Sequence, residues 1–356
     1  MSTTYYIGFD VHCAFTEVAV VTSSGRLLKR ERCGTTIPEL TQVLEAVRSP
    51  RHLTFEEGPM AGWLYRELES LVDKLVVCDA RRNRLVAKDS DKDDPIDSEK
   101  LAQLFRGGYL KPVHQAESLE RAIFKQHVGL YHDSVRDRVR MSNTILAQMR
   151  RFGVFSSEKE MADADNRPRL LRKLPRSRLL REDIELLWVK YDSQVQQTDI
   201  MGDWLERNAQ GEPTIQRFVK VPGIRWIRAA TFFAYVDTPW RFHKKQDLWK
   251  YTGIGLERSH SGCGPTQVHV AQYANRRLRG VLLGAAKTAI RTESNPFYDH
   301  YQRWTQKEGI SVPNARRNTA RSLAATLWGM WKNGSEYRPE LVAIGGKTAD
   351  TLASSQ

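Results

Sequence analysis

The sequence predicts an α/β N-terminal domain, then a long helical stretch, then a mainly α C-terminal region. Three observations carry that reading. Over residues 1–110, short β-branched and aromatic runs alternate with stretches of helical spacing. From 118 to about 152, Leu119, Ile123, Leu130, Val135, Val139, Ile145 and Met149 recur at four- to seven-residue intervals, and Gly129 is the sole Gly or Pro. Beyond the turn Val221-Pro222-Gly223-Ile224, helical patterns return over 225–235, 245–252, 272–293 and 312–333.

The N-terminal elements follow in order. Residues 5–10 read as a buried strand ending in Asp10, and 17–22 and 26–33 as two further strands joined at the turn Ser23-Ser24-Gly25. A helix is expected over 36–47, with Leu40, Leu44 and Val47 on one face. A short strand over 53–56 ends in Glu56, a helix covers 60–71, and 74–78 is another strand. A helical turn over 81–87 and an amphipathic helix over 94–105, closed by Gly107-Gly108, complete the set. Three adjacent antiparallel strands followed by alternating helices and strands is the order of an RNase H-like domain. Fold order alone says little about function.

The stretch over 118–152 calls for a helical partner, and 181–208, with Ile184, Leu187, Tyr191 and Val195, supplies the returning arm. Residues 166–178 between the arms hold two prolines and six basic residues and read as a connector, solvated or touching an anionic partner. The Pro222-Gly223-Ile224 turn reads either as a plain interhelical turn or as a helix-hairpin-helix element whose backbone amides hold a phosphate. The polar tail after Gly345 is expected to be flexible.

Charge is unevenly placed. The chain of 356 residues carries a formal net charge of +13, yet residues 1–110 hold 15 Lys and Arg against 17 Asp and Glu. The remainder holds 40 against 25, an excess of 15 that suits a polyanionic partner. Cys13, Cys33, Cys78 and Cys263 form no CxxC pair, which argues against a disulfide framework or a cysteine-rich zinc site and fits a reducing cytosol. No signal-peptide pattern opens the sequence and no 18-residue apolar run crosses a membrane, so a cytoplasmic location is expected.

Four acids stand out. Asp10 and Glu56 end strands, and Asp94 and Asp97 sit three apart, so that on a helix they share a face. Clustered carboxylates repel one another unless divalent cations lie between them, and all-oxygen ligation suits magnesium. Two such ions would activate an attacking oxygen and stabilise a leaving one. The pattern Asp94-Pro95-Ile96-Asp97 is equally a good helix start, with an Asp cap and Pro at the first position. Capping explains neither Asp10 nor the Glu56-Glu57 pair. Successive strand residues face opposite ways, so either Glu56 or Glu57 could join the cluster on periodicity alone.

A second candidate is Ser261, in the small polar loop Ser259-His260-Ser261-Gly262-Cys263-Gly264, with Asn275, Arg276, Arg277, Leu278 and Arg279 soon after. A loop hydroxyl near arginines can meet a phosphate; an ordinary Ser/Gly loop is the plain alternative. No G-x-S-x-G elbow supports a Ser-His-Asp hydrolase.

Taken in order, these pieces resemble a known family. They are Ile7-Gly8-Phe9-Asp10-Val11, Phe55-Glu56-Glu57-Gly58, the run from Lys92 to Ala102 holding Asp94 and Asp97, Val221-Pro222-Gly223-Ile224, the run from Tyr251 to Leu256, Ser261-Gly262, and Asn275 with Leu278-Arg279. The resemblance is to the DEDD transposases of the IS-one-ten insertion-sequence family, the bridge-RNA-guided serine recombinases, over roughly residues 5–335. It implies a RuvC-like catalytic domain over 1–112, a coiled-coil linker and oligomerisation arm over 113–212, and a C-terminal transposase domain over 213–340, with a flexible tail over 341–356. It implies that Asp10, Glu56, Asp94 and Asp97 are catalytic metal ligands for two Mg2+, with Mn2+ as a substitute, and it favours Glu56 over Glu57. It further implies that Ser261 is a catalytic nucleophile, and that the partners are donor and target DNA, a structured non-coding guide RNA, and further copies of the chain as a dimer to tetramer in the bacterial nucleoid. Asp93, Ser98 and Ala274 stand where the family usually has Thr, Ala and Gly, and Glu57-Gly58-Pro59 replaces Ala-Thr-Gly. Two alternatives are a RuvC-type junction-resolving endonuclease with water as nucleophile and a non-catalytic nucleic-acid scaffold.

Overall fold

The computed structural model describes residues 3–81, 94–259, 267–270 and 274–343, without the side chains of 94–96, 258–259 and 267–268. They divide into two compact units, Met1–Ser118 and Leu119–Gln356. The expected helical turn over 81–87 falls outside the described residues for nearly all its length, and the tail beyond 343 wholly so.

The first unit is built on a five-stranded sheet. Strands β1 (Tyr5–Val11), β2 (Phe15–Thr22) and β3 (Leu27–Gly34) form an antiparallel meander. Strands β4 (Arg51–Glu56) and β5 (Lys74–Cys78) add in parallel, giving the order β3-β2-β1-β4-β5. The β2–β3 turn carries Gly25 at φ 87°. Helices α1 (Ile37–Glu45) and α2 (Ala61–Leu68) lie in the connections around β4. Thr36 caps α1 by accepting from the Glu39 amide, and Pro38 fits its first turn.

Strand alternation assigns the two faces of the sheet. Ile7, Phe9, Val18, Val20, Leu53 and Phe55 are buried in one core with Leu40, Leu44, Leu64 and Leu68 of α1 and α2. The other face carries α3 (Asp94–Arg106), whose Leu101 and Phe105 pack with Cys78, Leu110, Tyr6 and Val76. A mixed α/β region is therefore observed at the N-terminal end, as the alternation of patterns predicted.

The second unit is mostly helical. Helices α4 (Leu119–Arg150) and α7 (Arg178–Gln210) run antiparallel. Near one end Gly202 lies against Tyr131, midway Ser134 meets Thr198 at 2.7 Å, and farther on Ile145 and Met149 share a core with Ile184 and Trp188. Between them lie α5 (Glu158–Ala162), opened by a Ser157/Glu160 capping box, and α6 (Arg167–Arg172). The Arg-rich connector is thus partly helical: Pro168 occupies the first turn of α6, where its missing N–H has no helical acceptor to lose. Ser177, still within the expected connector, caps α7.

Helix α8 (Pro213–Phe218) leads through the Pro222-Gly223 turn into α9 (Trp226–Val236). From Ala229 to Val236 every residue of α9 is buried, the mark of a central helix. Then follow α10 (Lys245–Tyr251), an antiparallel pair of β6 (Leu256–Ser259) and β7 (Gln267–Val270), α11 (Arg276–Ala289), α12 (Pro296–Gln302), α13 (Val312–Asn333) and α14 (Pro339–Ala343). The strand pair was not expected. The helix expected over 272–293 begins at Arg276, because the Asn275 side chain accepts from the Leu278 amide at 3.0 Å and caps it. Val128 of α4 and Leu205 of α7 are buried in the same core as Phe218, Phe232, Leu282 and Leu327, so the base of the helix pair and the C-terminal helices share one interior. Gly223 has φ 82°, and a Cβ there would sit 2.4 Å from the Ala285 carbonyl oxygen of α11. The turn is therefore held close against a helix.

Candidate active site

The register of the sheet sets the acids in a row. Asp10 of β1 is opposite Glu17 of β2, and Glu17 is opposite Arg32 of β3. On the other side Phe9 is paired with Phe55, which sets Asp10 beside Glu56 of β4, and Glu56 is opposite Cys78 of β5. Side chains two apart share a face, so the row Arg32, Glu17, Asp10, Glu56 and Cys78 lies on the α3 side together with Tyr6, Gly8 and Thr54. Glu57 follows Phe55 by two residues, and Phe55 faces the opposite core. Glu56, rather than Glu57, thus shares the face of Asp10.

Helix α3 crosses this face in a fixed direction. The Phe105 ring lies 5.7 Å from that of Tyr6 and 5.8 Å from that of His52. Higher up, Gly8 abuts Ser98 and Ala102: a Cβ at Gly8 would lie 2.1 Å from the Ser98 carbonyl oxygen and 2.8 Å from the Ala102 nitrogen. Ser98 is fully buried there, so the position admits only a small side chain. Tracing α3 backwards therefore runs towards the Asp10–Glu56 row. From Ser98 to Asp94 the helix rises about 6 Å, and from Gly8 to Asp10 the strand advances about 7 Å. The first turn of α3 is level with the row, and its N-terminal end places the positive end of the helix dipole beside the carboxylates.

The acids differ in surroundings. The Asp10 side chain is about a quarter exposed and lies 3.1 Å from His12 Nε2. His12 in turn stacks on Phe15, with ring centroids 4.6 Å apart. The Glu17 side chain is 7% exposed and accepts from Arg32 Nε at 2.5 Å. The Arg32 guanidinium also lies over Phe15 at 4.3 Å. Asp97 is half exposed, 3.7 Å from Lys100. The Asp94 side chain is outside the described residues. Among the described residues, no three His, Cys, Asp or Glu side chains are gathered closely enough to hold a metal ion. The donor set nonetheless suits a hard divalent cation: carboxylate oxygens on one sheet face, open enough for water and phosphate to enter.

Sequence reasoning missed Glu17, His12 and Arg32. A charged residue opening an apolar strand was the signal for Glu17, and the tight turn at Gly25 sets it opposite Arg32.

Ser261 lies outside the described residues, between the paired positions Ser259 and Gln267. The approach to it is well defined. Gly253, at φ 70°, comes close to Ala274, and Asn275 Nδ2 donates to Tyr251 Oη at 3.3 Å. Arg321 Nε of α13 donates to the Ile254 carbonyl at 2.7 Å, which ties the turn before β6 to that helix. Arg279 flanks Gly253 from α11.

Two family models match the chain. One, a DEDD transposase model described as "Transposase", covers residues 7–153; the other, "Transposase IS116/IS110/IS902 family", covers 215–302. These segments of 147 and 88 residues make up well over half of the 356. The chain belongs to the IS110-family transposases. It is also 20% identical, over 259 residues, to the transposase for insertion sequence element IS1111A of Coxiella burnetii (strain RSA 493 / Nine Mile phase I), an alignment covering 70% of this chain and 69% of that protein. As an IS110-family transposase it is an enzyme that rearranges DNA, and DNA is its partner. DEDD transposases work with divalent metal. Among the described residues of this transposase, no helix is long and apolar enough to cross a membrane.

Proposed function

We propose that this transposase cuts and rejoins DNA at a site where Asp10, Glu56, Asp94 and Asp97 hold divalent cations, with Mg2+ preferred and Mn2+ a substitute, and where the Ser261 hydroxyl is the attacking nucleophile. The observation that carries the reading is that Asp10 and Glu56 each directly follow the paired Phe9 and Phe55 on neighbouring parallel strands, on the sheet face that α3 crosses. A cation bound there neutralises charge building on the phosphate oxygens. The carboxylates orient the phosphate by fixing where that charge is compensated. His12, beside Asp10, restrains its carboxylate. Arg32 pairs with the Glu17 carboxylate that stands opposite Asp10. The serine Oγ attacks phosphorus and forms a phosphoserine link as the bond from phosphorus to the DNA 3′ or 5′ oxygen breaks; the serine gives its proton to solvent water, and the departing oxygen takes one up to leave as a hydroxyl.

The positive excess of the C-terminal part supports nucleic-acid contact there, and a structured guide RNA is the proposed second polyanion. The antiparallel α4–α7 pair is proposed as a coiled-coil arm joining copies of the chain, between a RuvC-like domain over 1–112 and a transposase domain over 213–340. In the cell we place the protein on the cytoplasmic nucleoid.

The test uses the full chain on supercoiled DNA carrying the element's ends. Asp10→Ala and Ser261→Ala should each abolish strand exchange while nucleic-acid binding persists. A denaturing gel should show a protein–DNA adduct in the parent that Ser261→Ala lacks. Exchange surviving Ser261→Ala would make water the nucleophile, and exchange surviving Asp10→Ala would remove the metal site.

A further inference from the structure

One surface of the second unit joins an exposed aromatic ring to unneutralised cations. Trp240 lies in the short 3-10 turn Pro239–Arg241 after α9 and is 69% exposed, against 0–9% for the residues of the core beside it. The turn is firmly placed. Thr238 Oγ1 accepts from the Trp240 amide, and Trp328 Nε1 of α13 donates to the Pro239 carbonyl at 2.7 Å. Lys332, one turn beyond Trp328, has its ammonium 5.2 Å from the Trp240 ring centroid and 4.1 Å from that of Trp328. His243, Lys244 and Lys245 follow within five residues and are exposed. Among the described residues, none of Lys332, His243, Lys244 and Lys245 is ion-paired with a carboxylate. By contrast, in the Arg-rich connector, Arg167, Arg169 and Arg178 pair with Asp192, Glu160 and Glu182.

A large, mostly exposed ring fixed at its base, with the Lys332 ammonium 5.2 Å from its centroid and exposed Lys244 and Lys245 four and five residues on in the chain, is poorly suited to water and well suited to an unpaired nucleobase. Stacking takes the base, and the lysines take the phosphates on either side. A duplex offers no free base face, so the ring discriminates against it. We propose that Trp240, with Lys332, Lys244 and Lys245, is a stacking platform for an unpaired nucleotide of a phosphodiester strand. The proposal rests on the nucleic-acid contact assigned to this part of the chain, but not on the acidic row or on Ser261.

The test is fluorescence anisotropy of the full chain with four labelled probes: an oligo-dT strand, an oligo-rU strand, a DNA duplex, and an RNA hairpin whose loop is closed to three nucleotides. Trp240→Ala should weaken binding of both single strands by about tenfold, and Trp240→Phe should restore most of it. Duplex binding should stay within about twofold, since it depends on phosphate contacts. A loss on oligo-dT alone identifies a DNA strand as the occupant, and a loss on oligo-rU alone an RNA strand; either supports the platform. Unchanged single-strand binding in Trp240→Ala, or an equal loss on the duplex, overturns it. Trp240 and the lysines are not among Asp10, Glu56, Asp94, Asp97 and Ser261, so failure here leaves the metal-site reading standing.

Discussion

Gly8→Ala is the smallest change that separates the acidic row from the helix across it. The added Cβ would lie 2.1 Å from the Ser98 carbonyl oxygen, 2.8 Å from the Ala102 nitrogen and 3.2 Å from the Leu101 Cβ. A carbon–oxygen contact settles near 3.3 Å, so α3 must retreat by about 1.2 Å or tilt. Two of the three atoms are helix backbone, so rotating a side chain cannot relieve the contact. Overpacking of this kind costs about 1–3 kcal/mol. The catalytic penalty is larger, because a displacement of about 1 Å at a reacting centre costs on the order of a hundredfold in rate. The assay is strand exchange on supercoiled DNA at a temperature where circular dichroism shows parent and variant folded. Gly329→Ala is the control: it lies within α13, where a Cβ meets nothing within 4 Å, and should stabilise by about 1 kcal/mol without slowing exchange. A Gly8→Ala protein that melts with the parent and exchanges strands at the parental rate would refute the close crossing of α3 over β1.

Other outcomes follow from the same contacts. Arg32→Gln leaves the buried Glu17 carboxylate short of its cation and should destabilise by about 1–3 kcal/mol in urea titration; pairing it with Glu17→Gln should recover most of the loss. His132 is held neutral because burial, then Arg277, lowers its pKa, against the opposing pull of Asp133. Its Nε2 lies 2.8 Å from Thr231 Oγ1, whose own proton goes to the Ile227 carbonyl, so Nε2 is the donor. The folded pKa lies below the unfolded value, so the unfolded chain takes up the proton first. This contribution is complete above about pH 6.5 and declines as pH falls below it. Urea midpoints measured between about pH 7.5 and 5.5 should fall in the parent and fall less in His132→Gln.

Much of the fold was legible because hydrophobic period tracks burial. The strand ending at Asp10, the hairpin at Gly25 and the long helix from 119 have strong periodic signals, and the structure has them within a few residues. The strand pair β6–β7 was hidden, because its strands are four residues long and their flanks are polar. Helix α6 was hidden behind Pro168, which reads as a breaker until it is placed in a first turn. Within the site, Asp10 and Glu56 were readable as strand-end acids. Periodicity alone did not show which of Glu56 and Glu57 shares the face of Asp10, since that depends on which face of β4 meets α3, where Gly8 abuts Ser98. Glu17 and Arg32 escaped notice for the same reason: their pairing is a property of strand register, which no local run of residues displays.

Binding of Mn2+ to the full chain, followed by titration calorimetry, tests the acidic row most directly. Asp10→Asn and Glu56→Gln should each weaken Mn2+ binding by at least about tenfold, as expected when a charged ligand is removed, while Glu57→Gln should bind as the parent does. Parental Mn2+ affinity in Asp10→Asn, or a loss in Glu57→Gln with none in Glu56→Gln, would contradict a metal site at the acidic row.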